Sequence, residues 1–419
     1  MRILFVHQNF PGQFKHLAPA LAQRGHEVVA LGWGAASDAL VQGVRVVRYA
    51  ATRGSSQQIH PWLADMETKV IRGEACLAAA ARLHAGGFQP DVIVAHPGWG
   101  ESLFLKVLWP QARLGAYCEF FYRPEGADSG FDPEFAVRNV HADRCRLAMK
   151  NLNNLAQFES LDAGLSPTHW QASTFPPRVQ DRISVIHDGI DTGRLRPDAN
   201  AAVHLEAAGG KPLVLSRDDE VVTFVNRNLE PYRGYHVFMR ALPRLLARRP
   251  RAQVVIVGGD GVSYGSAPDR ERHGAASWRD IFAAEVRPAI SDADWARVHF
   301  IGRVPYDRLV ALLQVSTVHV YLTYPFVLSW SLLEAMSIGC AIIASDTAPL
   351  REVIEDGVTG RMVDFFDSQA LANAVSDLLD DAPARARLGA AARQRAVERY
   401  DLQAVCLPRQ LAWVEGLQA

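Results

Sequence analysis

Two arginines stand six residues apart in the segment Phe224-Val-Asn-Arg-Asn-Leu-Glu-Pro-Tyr-Arg-Gly-Tyr235: Arg227 just past an apolar run, and Arg233 just before a helical stretch. A guanidinium is a fixed fork of N–H donors, so two of them hold phosphate oxygens through paired, charge-assisted bonds. Matching chemistry follows in Thr323-Tyr-Pro-Phe-Val-Leu-Ser-Trp-Ser-Leu-Leu-Glu-Ala-Met336. There the pattern passes from the end of a buried strand into a helix that opens near Ser329 to Ser331. A helix start offers backbone N–H groups and the positive end of a dipole to an anion. Glu334 lies one turn further in, within reach of a ribose. The set suits a nucleoside diphosphate. Taken singly, each piece also reads as ordinary structure, as two surface arginines or as one βαβ turn among several.

These residues need a scaffold that brings strand ends to one edge. The second half supplies an α/β rhythm, with strands at Val221–Val225, Gln253–Gly258, Val298–Ile301 and Thr317–Leu322, a second buried strand from Ala341, and helices between them. The first half has the same rhythm. Strands at Arg2–His7, Glu27–Leu31, Val44–Tyr49, Asp91–His96 and Gly115–Tyr122 alternate with helices, the longest from Pro61 to Leu83. His96 falls at the carboxyl end of its strand, where open parallel sheets bind ligands; a structural histidine is the competing reading. Gly12 is alone in its loop, which is not a dinucleotide fingerprint and reads as a tight turn. The fold class is α/β with two doubly wound halves. Expected domains are 1–190, a polar linker over 191–220, a second domain over 221–398 and a C-terminal helix over 399–419.

Composition narrows the partners. The 419 residues carry a net charge of -1, so there is no general field to recruit nucleic acid or an anionic membrane. The run Arg240, Arg244, Arg248, Arg249 and Arg251 has helical spacing and reads as a solvated face, with peripheral membrane contact as the most it offers. Five cysteines, odd in number and without a C-x-x-C pair, indicate neither a disulfide framework nor a zinc site. The opening run Met1–Val6 is too short for a signal peptide or a membrane span. A cytoplasmic location is expected.

The motifs in order resemble glycosyltransferase family 4: Phe10-Pro-Gly-Gln13, Arg24-Gly-His-Glu-Val28, Asp91 to His96 and Ile186-His-Asp-Gly-Ile-Asp191 in the first half. In the second come Arg227 with Arg233, Ile256-Val-Gly-Gly259, Phe300-Ile-Gly-Arg303, Leu333-Glu-Ala-Met336, Gly339 and Arg351-Glu-Val-Ile-Glu-Asp-Gly357. The resemblance covers nearly the whole chain. It implies the two-domain GT-B fold and a retaining hexosyltransferase that uses a nucleotide diphosphate sugar, a UDP-sugar by the family's habit, with no metal or other cofactor. By the same resemblance, Arg227 and Arg233 hold the diphosphate and Glu334 the ribose. Arg303 and Val304 meet the base through backbone, and amides in the Leu328, Ser329, Trp330, Ser331 turn meet the phosphates. Gly12 sits beside the donor, and His96 contacts the sugar or the acceptor, which the sequence does not identify.

The sequence also departs from the family. Phe326 occupies the position of the first of two glutamates, the one that holds a donor-sugar hydroxyl, and Ser329 replaces a glycine. A catalytically silent nucleotide-sugar binder is therefore a second reading. Asp292-Ala-Asp294 has the spacing of an acidic metal motif from the other large glycosyltransferase fold; it is read as a solvated turn.

Overall fold

The computed structural model describes residues 1–34, 38–136, 139–206, 210, 212–274 and 276–418. By its contacts the chain divides into Met1–Gly189 with Leu402–Ala419, and Ile190–Asp401.

The first unit is built on eight strands: β1 (Arg2–Val6), β2 (Glu27–Trp33), β3 (Ala39–Val41), β4 (Val44–Tyr49), β5 (Val92–Ala95), β6 (Arg113–Tyr117), β7 (Ala163–Ser166) and β8 (Ile183–Val185), in the order β3-β4-β2-β1-β5-β6-β7-β8. All neighbours are parallel except the β3–β4 pair. The apolar run of β1 is continuous because both faces of a parallel sheet are covered. Ile3 and Phe5 enter one core, which the C-terminal helix Leu407–Gly416 shares through Leu411 and Val414. Leu4 and Val6 enter the other, under the long helix Ala64–Ala85. Gly115 makes room for the C-terminal helix: a Cβ there would lie 2.6 Å from the Trp413 ring.

The second unit has six parallel strands, β11 (Val221–Asn228), β12 (Gln253–Gly259), β13 (Val298–Phe300), β14 (Val318–Tyr321), β15 (Ile342–Ser345) and β16 (Arg361–Val363), in the order β13-β12-β11-β14-β15-β16. Residues 191–220, expected as a linker, instead contain the antiparallel pair β9 (Ala202–Glu206) and β10 (Pro212–Ser216). Their alternate Val203, Leu205 and Leu215 turn one face into the second unit's core, a period-two signal that the polar composition masked. Residues 207–209 and 211 of that stretch lie outside the described residues.

The helices Val140–Lys150 and Leu152–Gln157 meet at Asn151, whose side chain exchanges hydrogen bonds with the backbone of Tyr122 at 3.0 and 2.8 Å. The last helix is preceded by a single wide turn over Leu402–Cys406, and Pro408, which lacks an N–H, sits in the first turn of the regular helix.

Candidate functional site

In the second sheet the chain steps from β11 outward to β12 and β13, then returns to lay β14 on the other side of β11. The gap at the carboxyl ends of β11 and β14 is thus a topological switch point, the place where open α/β sheets bind ligands. Arg227 is the exposed next-to-last residue of β11. Arg233 follows on a short turn that ends at Gly234, where φ is +66° and a Cβ would meet Leu322 at 2.4 Å, so glycine is required. The Arg233 side chain is buried. It donates to Thr323 Oγ1 at 2.8 Å, to the Val327 carbonyl at 3.2 Å and to the Tyr321 hydroxyl at 3.4 Å, and it lies 5.0 Å from the Tyr264 ring centre. Tyr264 is held in turn by Glu230, whose buried carboxylate accepts the backbone N–H groups of Ser263, Tyr264 and Gly265 at 3.0 to 3.3 Å.

Glu334 is on the Trp330–Ile338 helix, 8% exposed, and accepts the Tyr306 hydroxyl at 2.7 Å. The ring of Tyr306 carries the Arg194 guanidinium at 5.3 Å. Arg303 donates to Asn228 Oδ1 at 2.7 Å, and Val304, Leu328 and Trp330 are half-buried against the core. Phe326 is buried against Tyr232 and Tyr264, with ring centres at 5.7 and 5.0 Å. At the position of the family's first glutamate the chain therefore has packing, not a hydrogen-bonding group.

The helix opens at Ser329, as its sequence suggests. Ser329 caps it: the Ser331 N–H donates to Ser329 Oγ at 3.3 Å, and the Ser329 N–H donates to the Tyr321 hydroxyl at 3.0 Å. A serine side chain competes for the amides that a glycine would leave open to phosphate. Asp292 and Asp294, on the short helix Asp292–Trp295, pair with Arg287 and Arg297 on either side of it.

The first sheet has its own switch point, between β1 and β5. His7 follows β1 and His96 follows β5, with ring centres 5.3 Å apart. The His96 ring stacks on Trp99 at 4.4 Å and on Tyr117 at 5.4 Å. Gly98 N–H donates to His96 Nδ1 at 3.1 Å, which assigns the neutral ring's proton to Nε2, 3.4 Å from Glu119 Oε2. By the same reasoning, Asn9 N–H donates to His7 Nδ1 at 2.9 Å and His7 Nε2 donates to Gln13 Oε1 at 2.7 Å; Gln13 Nε2 then donates to Glu119 Oε1 at 3.1 Å. Burial raises the Glu119 pKa, but its His96 partner and the other donors outweigh this and hold it below the usual carboxylate range. Gly12 serves His7: its φ is +47°, and a Cβ would lie 2.3 Å from the imidazole. His96 and Glu119 face a pocket of about 260 Å³ that Lys69, Arg72, Lys150 and Asn154 also line.

Two family profiles match in tandem, one described as "Glycosyl transferase family 4 group" over residues 24–195 and one as "Glycosyl transferases group 1" over residues 219–381. The chain is a family 4 glycosyltransferase. This transferase is 27% identical to the glycogen synthase of Mycobacterium tuberculosis, over 97% of this chain and 92% of that protein. It is 30% identical to the D-inositol 3-phosphate glycosyltransferase of Acidothermus cellulolyticus, over 48% of this chain and 41% of the other. Among solved structures, sucrose-phosphate synthase from Thermosynechococcus elongatus superposes with a TM-score of 0.73 at 17% identity, covering 99% of this chain and 98% of that one. HepE from Anabaena, solved with UDP and glucose, superposes with a TM-score of 0.66 at 16% identity, covering 99% of each chain. Those likenesses establish the GT-B fold.

Sequence reasoning about the transferase missed Glu119, Lys150 and Tyr306. Glu119 had the same signal as His96, a polar residue just past a parallel strand. Lys150 and Tyr306 had none, since each sits on a helix and reaches its place through packing.

Proposed function

We propose that this glycosyltransferase moves a hexose from UDP to an acceptor held by the first unit, with retention of configuration and without a metal ion. The observation that carries the donor half is the grouping of Arg233, Glu334 and the Ser329–Ser331 helix start around the switch point of the second sheet, with Arg227 exposed at the end of β11. Arg227 and Arg233 take the charge of the departing diphosphate, the work a divalent cation does elsewhere, and Glu334 binds the ribose hydroxyls. Backbone at Arg303 and Val304 meets the base. Fixed charge on the leaving group and orientation of the acceptor supply most of the rate. A leaving phosphate oxygen takes the acceptor proton on the face that the diphosphate leaves, which preserves configuration, and His96 orients the acceptor. Uridine is supported by HepE, solved with UDP-glucose, and by the fold neighbour from Burkholderia xenovorans that is described as UDP-forming. All five cysteines are free thiols, which supports a cytoplasmic setting; no described helix is long and apolar enough to cross a membrane.

The test is a thermal-shift series with UDP, GDP and ADP sugars in EDTA, followed by proton NMR of any product's anomeric centre. UDP sugars should raise the melting temperature, since a ligand of the native state at 100 times its Kd adds about 2.7 kcal/mol. Arg227→Ala should weaken UDP binding about tenfold or more while leaving stability within about 0.5 kcal/mol, because Arg227 is exposed. No shift with any UDP sugar would refute the donor assignment, and binding without transfer to any acceptor would mark a silent binder.

A further inference from the structure

The pocket of the first unit has charges that its own residues do not balance. Lys69 has none to spare: its ammonium bonds Asp65 Oδ2 at 2.7 Å, Asn153 Oδ1 at 2.8 Å and the Lys150 carbonyl at 2.9 Å. Glu119 is matched by His96 and Gln13. Lys150 is different. Its ammonium lies 3.8 Å from the Tyr122 ring centre and has no hydrogen-bond acceptor among the described residues. An aromatic face offsets part of a cation's desolvation but accepts no conventional hydrogen bond, so three N–H donors are left over. Burial drives the Lys150 pKa down, as it does for an ammonium without an adequate counter-charge. Beside it, Arg72 spends one N–H on Gln8 Oε1 at 3.0 Å, and the 7% exposed Asn154 side chain makes no hydrogen bond among the described residues.

A half-buried cation with unmet donors on a pocket wall is costly unless something that visits the pocket repays it. We propose that the acceptor carries an anionic group, phosphate or carboxylate, which binds Lys150 with help from Arg72 and Asn154. This rests on the reading that the first unit holds the acceptor. The wall near Glu119 and His96 then receives the neutral, hydroxyl-bearing part, where a carboxylate accepts a hydrogen bond from a hydroxyl and would repel the anion. The arrangement orients the acceptor by charge: anion toward Lys150, hydroxyl toward Glu119.

The experiment is calorimetric titration of the full chain, with and without UDP, using glucose, glucose 6-phosphate, glucuronate, inorganic phosphate and acetate as probes. A charge-assisted bond at a desolvated ammonium predicts that glucose 6-phosphate or glucuronate binds about tenfold or more tighter than glucose, the better of the two separating phosphate from carboxylate. Lys150→Met, which keeps length and packing, should erase the preference, and Lys150→Arg should keep part of it. Both should melt like the parent and bind UDP as it does. Equal binding of charged and neutral sugars overturns the proposal, as does a preference that survives Lys150→Met, or the lack of any Lys150-dependent anion binding. UDP binding is read on the same samples, so loss of the donor reading would show separately.

Discussion

At the scale of single residues, the bond from Tyr306 to Glu334 bears most directly on function. The carboxylate assigned to the ribose is held at 2.7 Å by a phenol whose ring also carries Arg194. Burial, then the Glu334 charge, raise the Tyr306 pKa, so the phenol stays a donor throughout the working range of pH. Tyr306→Phe should therefore leave the fold intact, raise KM for the donor several-fold, in line with about 1 kcal/mol for one hydrogen bond, and change kcat little. Steady-state kinetics on the purified variant check this. An unchanged KM would mean that Glu334 is oriented without Tyr306.

At the scale of elements, Ser329 sets what the Trp330–Ile338 helix can do. The residue that caps this helix also occupies the Ser331 amide, one of the groups assigned to phosphate in the proposed function. Ser329→Gly should release that amide. The expected outcome is tighter UDP binding by a few-fold in calorimetry, at a stability cost of only a few tenths of a kcal/mol in denaturant melts. Weaker UDP binding would show instead that the serine hydroxyl itself contacts the diphosphate. The β9–β10 hairpin carries the converse lesson. Its alternation is present at Val203, Leu205, Leu213 and Leu215, but two short strands in a polar stretch offer too few positions to separate a hairpin from a linker by pattern alone.

For the whole molecule, buried neutral histidines link stability to pH. Burial, aided by the neighbouring His96, lowers the His7 pKa from 6.5 to about 3; burial alone lowers His187 to about 3 and His319 to about 4. In the unfolded chain each titrates near 6.5, so below that pH the unfolded state binds more protons than the native state. Stability should hold above pH 6.5 and fall as the pH drops, until about pH 4 for His319 and about pH 3 for the others. The loss is on the order of 2 kcal/mol per histidine at pH 5. His7 and His187 belong to the first unit; His319 belongs to the second, as does His299, whose pKa burial also lowers. Hydrogen exchange at pH 5 against pH 7.5 should thus show the amides of both β1 and β11 losing protection. Unchanged protection in either sheet would contradict this assignment.

Much of the protein follows from sequence alone. Apolar runs of four to eight residues alternating with helical patterns specify two doubly wound sheets, because only parallel strands covered on both faces carry continuous hydrophobic runs. Arg227, Arg233, Glu334 and His96 were legible because they sit at strand ends or helix starts, which sequence places in order along the chain. What tertiary structure decided is which side chains meet. Glu119, already beside His96, meets Gln13 across 106 positions of chain, and Lys69 reaches Asn153 across 84. Tyr306 comes to Glu334, and Phe326 sinks among tyrosines, by packing of elements distant in sequence. Periodicity reports which face of an element is buried; it is silent on which partner the fold brings to that face, and the charges and hydrogen bonds of a site depend on the partner.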